Sequence, residues 1–513
     1  MGNSNRSFVG LFIVFVAVVL TQSAFAQKSA DTVRLPLSEP ISVVDAFHNL
    51  QRENAMFSHV VFDALTVYDQ VRGDYVPLLA KSYKRVSPTS IEFELRDDVK
   101  FHNGNQMDAD DVVYTIGWLI DPKSKVQSQQ RYNWITSVDK LGPYKVRINS
   151  GEVNAADMLN LSTVITVYDE QVFRPLTDKQ DYGRAPVGTG PFKITQVDQN
   201  KGIVAIRNED FKHGPESLRS QVKVVHGLPV PDRSVQIANL ITGNVDAIFD
   251  PSEDQLKELT QNPDLAMTSL DSFSMLYIQL DAINRSGVRQ LQDPRVRKAL
   301  YMAIDRQPMV SSLVSGGSTA KLMDGMCFRE MLACDYSTTP PAYDPDGAKK
   351  LLAEAGYPNG FELALTARPV TKDAAVAIVG YWRKIGINAT VDLVTLNAFT
   401  SKRAAGQLAA YFGERPYASF PDAGYALDVN FANESRDYWR DPLLLKAIKD
   451  GAAERDEAKR KAIYREAFDH INTQFYMMPI SSLPQTFAHV KGLEIKPSPI
   501  KPQNADIDVF HWK

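Results

Sequence analysis

Short strands and helices alternate along almost the whole chain, and this alternation constrains the fold more than any other feature of the sequence. Residues 91–95 alternate apolar and polar side chains, which is typical of a half-buried strand. Asp108 then stands where a helix cap is expected, followed by apolar residues on one helical face, Val112, Ile116 and Leu119. Proline and glycine separate such segments, with no internal repeat and no low-complexity linker. The sequence therefore predicts a mixed α/β protein.

The same alternation returns in the second half of the chain. We predict a strand over 361–366, a helix over 374–385 and a strand over 387–393, which together form a strand-helix-strand unit. Residues 442–475, rich in Lys, Arg and Glu, predict one or two amphipathic helices whose charges form a solvated face.

A further helix is predicted to begin at Asp293. Asp293-Pro294 is the preferred order of a capping residue and a proline in the first turn. We expect this helix to stop before Pro308 and to carry its basic residues, Arg297 among them, on the face opposite its apolar stripe.

The N-terminus predicts export. Arg6 precedes an uncharged apolar run over residues 8–20, and the small-x-small triplet at 24–26 follows, an order typical of a secretory signal peptide. A membrane anchor is the alternative, but the run has 13 residues, whereas a spanning helix needs roughly 20. We predict that residues 1–26 are removed by cleavage near Ala26. Because no cysteine for lipid attachment lies there, we expect a soluble periplasmic protein.

Charge and composition exclude some classes of partner. The 57 Lys and Arg residues and 61 Asp and Glu residues give a formal net charge of -4, which gives no reason to expect a nucleic-acid partner. With 44% apolar residues the chain can bury a large core, and its 513 residues suggest two or three domains. No apolar stretch after the N-terminal run is long enough to span a membrane.

The chain has two cysteines, Cys327 and Cys334. In an oxidising compartment such a pair favours one disulfide that closes a short loop. Two free thiols are the alternative. A metal site is less favoured still, because no further cysteine and no nearby histidine supplies more ligands.

Motifs of common hydrolases and nucleotide-binding enzymes are missing from the sequence. We find no Gly-x-Ser-x-Gly elbow, no His-Glu-x-x-His helix and no Walker loop, and the eight histidines are scattered without the spacing of metal ligands. We therefore predict a protein with no catalytic residues, no metal site and no cofactor. A secreted hydrolase is the alternative.

Several motifs, in a fixed order, resemble one family. They occupy residues 93–104, 108–112, 186–193, 293–300 and 343–358. Together they resemble the peptide, nickel and opine group, family 5, of the extracellular solute-binding proteins that serve ABC importers, and in particular its dipeptide- and oligopeptide-binding members. The resemblance covers nearly all of the mature chain.

The resemblance implies an α/β, two-lobed periplasmic-binding-protein fold of type II, cluster C, with an inserted subdomain and a hinge between the lobes. Lobe I is expected to be discontinuous, formed by residues 27–70, 187–272 and 481–513. The inserted subdomain is expected over 71–186 and lobe II over 273–480.

The same resemblance implies a binding protein and not an enzyme. It is expected to act as a monomer that captures a peptide or peptide-like solute between its lobes and delivers it to permease subunits in the inner membrane. The alternatives are a binder of nickel or another metal chelate, of an opine or of an oligosaccharide, or a partner of a chemoreceptor.

Residues 414–425 are unusually rich in aromatic, proline and charged residues, and we expect them to contact the ligand. In the resembling family an aspartate of this region pairs with the α-amino group of a peptide, and Asp422 stands in the similar position. Asp422→Asn is then expected to weaken ligand binding with little effect on fold stability. The alternative for Asp422 is a turn cap. Further candidates in this segment are Arg415, Tyr417 and Phe420. For the two aromatic residues, packing in the core is the alternative.

The loop over residues 49–53 resembles the family segment that meets the ligand from the first domain. Arg52 in this loop is a candidate to face a ligand carboxylate. A solvated loop arginine is the alternative.

Overall fold

The computed structural model of the protein describes residues 31–49, 51–127, 129–417, 420–432, 436–498 and 506–513. The predicted signal peptide, residues 1–26, lies outside these ranges. Across the described part of the chain, no helix combines the length and the apolar character that crossing a bilayer requires.

The helices follow the amphipathic patterns of the sequence. In chain order the α-helices are α1 (Arg52–Val61), α2 (Ala109–Ile120), α3 (Asp157–Thr163), α4 (Glu170–Phe173), α5 (Arg233–Ile241), α6 (Glu253–Leu259), α7 (Pro294–Met302), α8 (Arg306–Leu313), α9 (Pro345–Glu354), α10 (Lys372–Lys384), α11 (Leu396–Ala404), α12 (Ala423–Phe431), α13 (Pro442–Ala453) and α14 (Glu457–Gln474).

The strands are short and interspersed among these helices. They are β1 (Thr32–Leu37), β2 (Thr66–Asp69), β3 (Asp74–Pro77), β4 (Ala80–Ser87), β5 (Ser90–Leu95), β6 (Ile135–Gly142), β7 (Lys145–Ser150), β8 (Phe192–Asp198), β9 (Gly202–Arg207), β10 (Val224–Pro229), β11 (Ala247–Phe249), β12 (Leu265–Leu270), β13 (Ser274–Leu280), β14 (Glu362–Ala367), β15 (Asn388–Leu393), β16 (Ala410–Pro416), β17 (Met477–Ser482), β18 (Gln485–Val490), β19 (Leu493–Ile495) and β20 (Phe510–Trp512).

Two larger sheets form the part of the chain predicted as lobe I. In the first, with order β1-β10-β9-β8, β1 runs parallel to β10 and the other neighbours are antiparallel. In the second, β18 lies between β11 and β12 and is antiparallel to both. Since β18 follows lobe II in the sequence, the last part of the chain returns to the sheets of the first part.

The region predicted as the inserted subdomain is an antiparallel sheet with order β4-β5-β7-β6, on which α2 packs. The predicted cap begins α2: the Asp108 carboxylate accepts a hydrogen bond from the Asp110 N–H at 2.7 Å, and the Asp111 carboxylate accepts one from the Asp108 N–H at 2.9 Å. These reciprocal bonds satisfy backbone donors that have no partner inside the helix. The predicted strand over 91–95 and the helix after Asp108 are confirmed as β5 and α2.

The part of the chain predicted as lobe II is a three-layer α/β/α unit. Its sheet has the order β15-β14-β16-β13-β17, in which β14 is parallel to β15 and β16, and β13 is antiparallel to β16 and β17. Alternate residues of β13 point to opposite faces: Ile278 packs in the apolar cluster with α7 and α10, and Tyr277 in the cluster with α12 and α14. The predicted unit over 361–393 is confirmed as β14, α10 and β15, and residues 442–475 form two helices, α13 and α14.

The two expectations about the helix after Asp293 need correction. Pro308 does not end α7, which stops at Met302; it lies in the first turn of α8, where the missing N–H removes no hydrogen bond. Arg297 is not exposed: its side chain is buried and its guanidinium donates to the carbonyl groups of Leu291 and Gln474 at 2.7 and 2.8 Å. A charged residue is buried here because backbone carbonyl groups receive its protons.

Lobe I and the inserted subdomain share one apolar core, whereas lobe II has its own. A single buried cluster contains Val33 and Phe57 of lobe I together with Phe93 and Val146 of the subdomain. The clusters on the two faces of the lobe II sheet contain none of these residues. Lobe I and the subdomain are therefore expected to move as one body against lobe II.

Two chain segments join the lobes within the described ranges. Residues 271–273 run from β12 to β13, and residues 483–484 run from β17 to β18. The Ser272 hydroxyl donates to the Leu483 carbonyl at 2.7 Å, and the Leu483 N–H donates to the Ser274 carbonyl at 2.7 Å. The result is a narrow, paired connection of the kind about which two domains can hinge.

Cys327 and Cys334 form a disulfide in the structure, with their Cα atoms 6.0 Å apart. The loop that they close meets the segment before α12. The Leu332 N–H donates to the Pro421 carbonyl at 2.9 Å, and the Ala423 N–H donates to the Leu332 carbonyl at 2.9 Å. The disulfide loop therefore supports the start of α12.

We expect the loss of this disulfide, in a protein with both cysteines replaced by serine, to destabilise lobe II by about 2 to 3 kcal/mol, because a cross-link over a loop of this length restricts the unfolded chain. Hydrogen exchange of the Leu332 and Ala423 amides in increasing denaturant measures the effect locally. Wild-type protein under reducing conditions separates the loss of the bond from the cost of the two serines. Unchanged exchange at both amides would contradict the prediction.

Candidate functional site

A cavity of about 750 Å³ lies between the inserted subdomain and lobe II. Residues 131–134 and 151–160 of the subdomain form one side, and residues 420–464, which include α12, form the other. This volume lies within the range of about 300 to 1,000 Å³ that is typical of small-molecule sites. A second cavity, of about 60 Å³ between lobe I and the inserted subdomain, is too small for a solute of that size.

Charged and aromatic side chains both line the larger cavity. Its charged residues are three arginines and three carboxylates, Arg131, Arg436, Arg460, Glu152, Asp422 and Asp428. Its aromatic residues are Trp134, Phe420, Tyr425 and Tyr464. Because the formal charges of the lining balance, a ligand that carries both signs of charge is accommodated as well as a neutral one. Nowhere in the described part of the chain do three or more His, Cys, Asp or Glu side chains gather to hold a metal ion.

Asp422 is the cap of α12 and half of a buried ion pair. One carboxylate oxygen accepts from the backbone N–H groups of Gly424 and Tyr425, at 2.8 and 3.3 Å. Arg460 of α14 binds both oxygens, at 2.6 and 2.9 Å, and Asp422 is 1% exposed. The helix-cap role, which was the alternative for Asp422, is therefore present. Asp422 also has a charged partner, Arg460, that no sequence motif indicated.

Arg460 is itself held in place by further hydrogen bonds. Its Nε donates to the Gly451 carbonyl at 2.9 Å, and one Nη donates to the Tyr464 hydroxyl at 3.3 Å. Burial alone would lower the pKa of Arg460, but the Asp422 carboxylate outweighs it and raises the pKa above its usual value. Arg460 therefore stays charged and lies against the Asp422 carboxylate as a bidentate partner.

Arg415 and Tyr417 lie behind the wall of the cavity and not on its surface. Tyr417 is buried in lobe II and Arg415 is half-buried there. One Nη of Arg415 donates to the Tyr277 hydroxyl at 3.0 Å and to the Asn430 side-chain oxygen at 3.1 Å. The Tyr417 ring packs edge-on against Tyr425, with 6.4 Å between ring centroids. Neither residue is among those that line the cavity, and the composition of the segment could not predict that position.

Phe420 reaches across the interface between the two halves of the molecule. It lies in an apolar cluster with Tyr68 of lobe I and Leu159 of the inserted subdomain, and it also lines the cavity. Phe420 therefore packs among apolar residues, which was its alternative role, but it does so at the interface between lobe II and the other half of the molecule.

Arg52 is not among the residues that line the cavity. It is the first residue of α1, its guanidinium is hydrogen-bonded to the Asp250 carboxylate, and it lies over the Phe249 ring at 4.8 Å. Burial acts to lower the pKa of Arg52, and the Asp250 charge more than reverses this, so that the net shift is upward. Its charge is thus already paired within lobe I.

Three sets of polar contacts cross from the subdomain to lobe II around the cavity. Arg131 donates to the Tyr425 hydroxyl at 3.0 Å, and the Ala155 N–H donates to the Ala452 carbonyl at 2.7 Å. The third set joins Asp157 of the subdomain to Arg455 of lobe II at 2.8 Å. These contacts hold the two walls of the cavity together.

Several lining residues carried no signal in the sequence. Arg131 and Trp134 stand in an irregular segment after α2, and they meet lobe II only through the packing of two distant parts of the chain. Arg460 belongs to the charge-rich stretch that predicted a solvated face, and it is buried. That part of the prediction is wrong because one carboxylate from a distant loop supplies the partner that burial requires.

Asp422→Asn is expected to reduce the free energy of unfolding by about 3 kcal/mol or more, because it leaves the buried Arg460 without a counterion. This replaces the expectation, drawn from the sequence, that fold stability depends little on Asp422. Asp428→Asn is the matched control, since Asp428 lies on the same helix and lines the same cavity with an exposed side chain. Its effect is expected within about 0.5 kcal/mol. Equal stability of the two variants, measured by denaturant unfolding, would show that the pair does not stabilise lobe II.

Comparison with known proteins extends the resemblance to the whole chain. The profile described as bacterial extracellular solute-binding proteins, family 5 middle, matches residues 74–437. A dipeptide-binding protein of Pseudomonas aeruginosa is 24% identical over 530 aligned residues, covering 96% of this chain and 97% of that protein.

Solved structures show the same fold. A dipeptide-binding protein from Pseudoalteromonas sp. SM9913, in complex with Met-Leu, superposes with a TM-score of 0.78 at 20% identity and covers 94% of this chain and 100% of its own. The binding protein MoaA of A. tumefaciens R10, in complex with mannopinic acid, gives a TM-score of 0.77 at 19% identity with coverages of 94% and 100%. The predicted two-lobed α/β fold is thus confirmed. Because the family profile spans most of the chain, from β3 to beyond α12, this protein belongs to the family 5 bacterial extracellular solute-binding proteins.

Proposed function

We propose that this protein captures a peptide or peptide-like solute between the inserted subdomain and lobe II and delivers it to the permease of an ABC importer. The observation that carries the proposal is the position of the cavity. Its two walls belong to bodies with separate apolar cores, joined by the two segments at 271–273 and 483–484. A rotation about those segments opens and closes the cavity without unfolding either body.

Capture by hinge closure needs a ligand that binds the closed state better than the open one. The cavity walls offer such differential binding, because groups such as Arg131 and Tyr425 reach the same ligand only when the two halves approach each other. No step in this cycle makes or breaks a covalent bond of the ligand. We accordingly propose a monomeric, exported binding protein and not an enzyme.

The chemistry of the walls suits a small zwitterion. Aromatic surfaces from Trp134 and Phe420 can enclose apolar side chains, and polar groups at both walls can bind the ends of a peptide. Asp422 remains our candidate for an ammonium group. Its Oδ2 accepts a hydrogen bond from Arg460 and has capacity for a second donor. Because Arg460 already balances its charge, this contact is expected to act mainly as a directional hydrogen bond.

Mass spectrometry of the small molecules released when the purified protein is denatured tests the proposal directly. We expect a di- or tripeptide, or a related amino-acid conjugate, at close to one molecule per chain. Release of a neutral oligosaccharide or a metal chelate would contradict peptide capture and favour one of the alternative ligands of the family.

A carboxylate at the interface, Asp157, is expected to stabilise the closed arrangement. Asp157 is shared by Arg85 of its own subdomain and Arg455 of lobe II, each at 2.8 Å, and Arg455 also donates to the Pro88 carbonyl at 2.9 Å. Arg455 thus makes both of its contacts across the interface, whereas Arg85 binds within one body.

The ligand identified by mass spectrometry is expected to dissociate about three- to tenfold faster from Arg455→Gln than from the wild type. The reason is that losing a partly exposed charge pair lowers the stability of the closed state by about 1 kcal/mol. The association rate should change much less, since the contact forms after the ligand has entered. Arg85→Gln is the matched control, because it leaves the pair between Asp157 and Arg455 intact. Stopped-flow fluorescence gives both rates, and equal dissociation rates for the two variants would contradict a role of Arg455 in closure.

A further inference from the structure

The hydrogen-bonding capacity of Asp422 is nearly used up within the protein. Its Oδ1 accepts from the N–H groups of Gly424 and Tyr425, at 2.8 and 3.3 Å, and from one Nη of Arg460 at 2.9 Å. Its Oδ2 accepts from the other Nη of Arg460 at 2.6 Å. Each oxygen of a carboxylate has about two lone-pair sites. Oδ2 is therefore the oxygen that has room for a donor from the ligand.

A donor that reaches this oxygen leaves water behind. Asp422 lines the cavity although it is only 1% exposed, and the side chain of Arg460 is 8% exposed. Loss of hydration in such a place costs a charged ammonium group far more than it costs a neutral N–H. An ammonium group therefore gains from this contact only if the carboxylate attracts it strongly.

Arg460 cancels most of that attraction. Two donors that share Oδ2 lie within about 5 Å of each other, because each of them is at hydrogen-bond distance from the same oxygen. A ligand ammonium there is attracted by the carboxylate and repelled by the guanidinium at similar distances. A neutral N–H meets no such repulsion and makes the same directional hydrogen bond.

The other carboxylates of the cavity do not take over this role. Among the lining residues that the structure describes, they are Glu152 and Asp428, one on each wall, and both residues are exposed. Water and salt screen an exposed charge, so that its pair with a ligand ammonium contributes little. The described lining thus offers an α-ammonium group no buried carboxylate that is free of a counterion.

Aromatic surface beside Asp422 suits an acyl group. Phe420 and Tyr425 both line the cavity, and their rings lie edge to face with 5.3 Å between centroids. The Asp422 N–H donates to the Phe420 carbonyl at 2.9 Å, and the Tyr425 N–H donates to the Asp422 carboxylate, so both residues are held next to it. Apolar surface of this kind favours a small acyl group over a bare ammonium group.

We propose that the site does not distinguish an acylated from a free α-amine, so that N-acyl peptides belong to the solutes that this protein captures. The inference rests on the proposed function and defines its ligand class more closely. Arg460 takes the place at the carboxylate that a ligand cation would otherwise fill. Arg460 is thus the residue that determines this specificity, and Asp422 contributes an acceptor for an N–H of either charge.

Calorimetry with Met-Leu and N-acetyl-Met-Leu tests the inference on ligand-free protein, prepared by unfolding, dialysis and refolding. The two probes differ only at the amine. We expect their dissociation constants for the wild type to agree within about threefold. If the free dipeptide binds at least about tenfold more tightly than its acetylated form, the inference is wrong, while peptide capture stands.

Two variants show whether Arg460 sets this preference. Arg460→Met removes the internal cation and leaves the Asp422 carboxylate to the ligand, so Met-Leu should bind at least about tenfold more tightly than N-acetyl-Met-Leu. Arg460→Lys is the matched control, because it keeps the positive charge, and its ratio should stay within about threefold. An unchanged ratio in Arg460→Met would overturn the role of Arg460. If Arg460→Met does not fold, the wild-type ratio still decides the inference.

The solute that denaturation releases gives an independent measurement. An N-acyl peptide among the released molecules supports the inference. If neither probe binds but a free peptide is released, that peptide and its acetylated form replace the probes, with the same two outcomes. If nothing binds and nothing is released, or if the released solute is not peptide-like, the proposed function fails and the inference fails with it.

Discussion

The two paired segments at 271–273 and 483–484 are the constraint on which the rest of the molecule depends. They are short, they bond to each other through Ser272, Ser274 and Leu483, and they leave each half to close its own apolar core. Among the described residues, the halves otherwise meet through polar contacts and a small apolar cluster around Phe420. An interface of this composition permits separation at small cost in buried apolar surface. Opening and closing the cavity therefore does not require packed cores to separate, and the binding energy of the ligand can favour the closed state.

Most buried arginines of lobe II have partners for their N–H groups, but not all of them do. The Asp422 and Arg460 pair fixes the start of α12 against α14, and the carbonyl groups around Arg297 receive a second buried guanidinium. Among the described residues Arg403 has no such arrangement: its Nε and one Nη are enclosed without an acceptor. Stability alone does not favour that pattern, since enclosed donors without acceptors destabilise a fold.

The fold could be predicted from the sequence almost completely, and the site only in part. Local rules sufficed for α2, because Asp108 and Asp111 satisfy each other within four residues. The order of the motifs sufficed for the two-lobed fold class. Asp422 was recognised as important, and the cap that was its alternative is present. Its partner lies 38 residues away on another helix, however, and nothing in the sequence around Arg460 distinguishes it from its solvated neighbours. Pairings across such distances depend on tertiary packing, and so does the depth at which Arg415 and Tyr417 are buried.

The loop between Cys327 and Cys334 makes one wall of the cavity sensitive to the redox conditions under which the chain folds. Leu332 in this loop bonds to the residues on both sides of Asp422, so the wall at the start of α12 is supported by a covalent link that reducing surroundings do not maintain. A chain whose two thiols stay free lacks that covalent link, and Leu332 then meets the start of α12 through its two backbone hydrogen bonds alone.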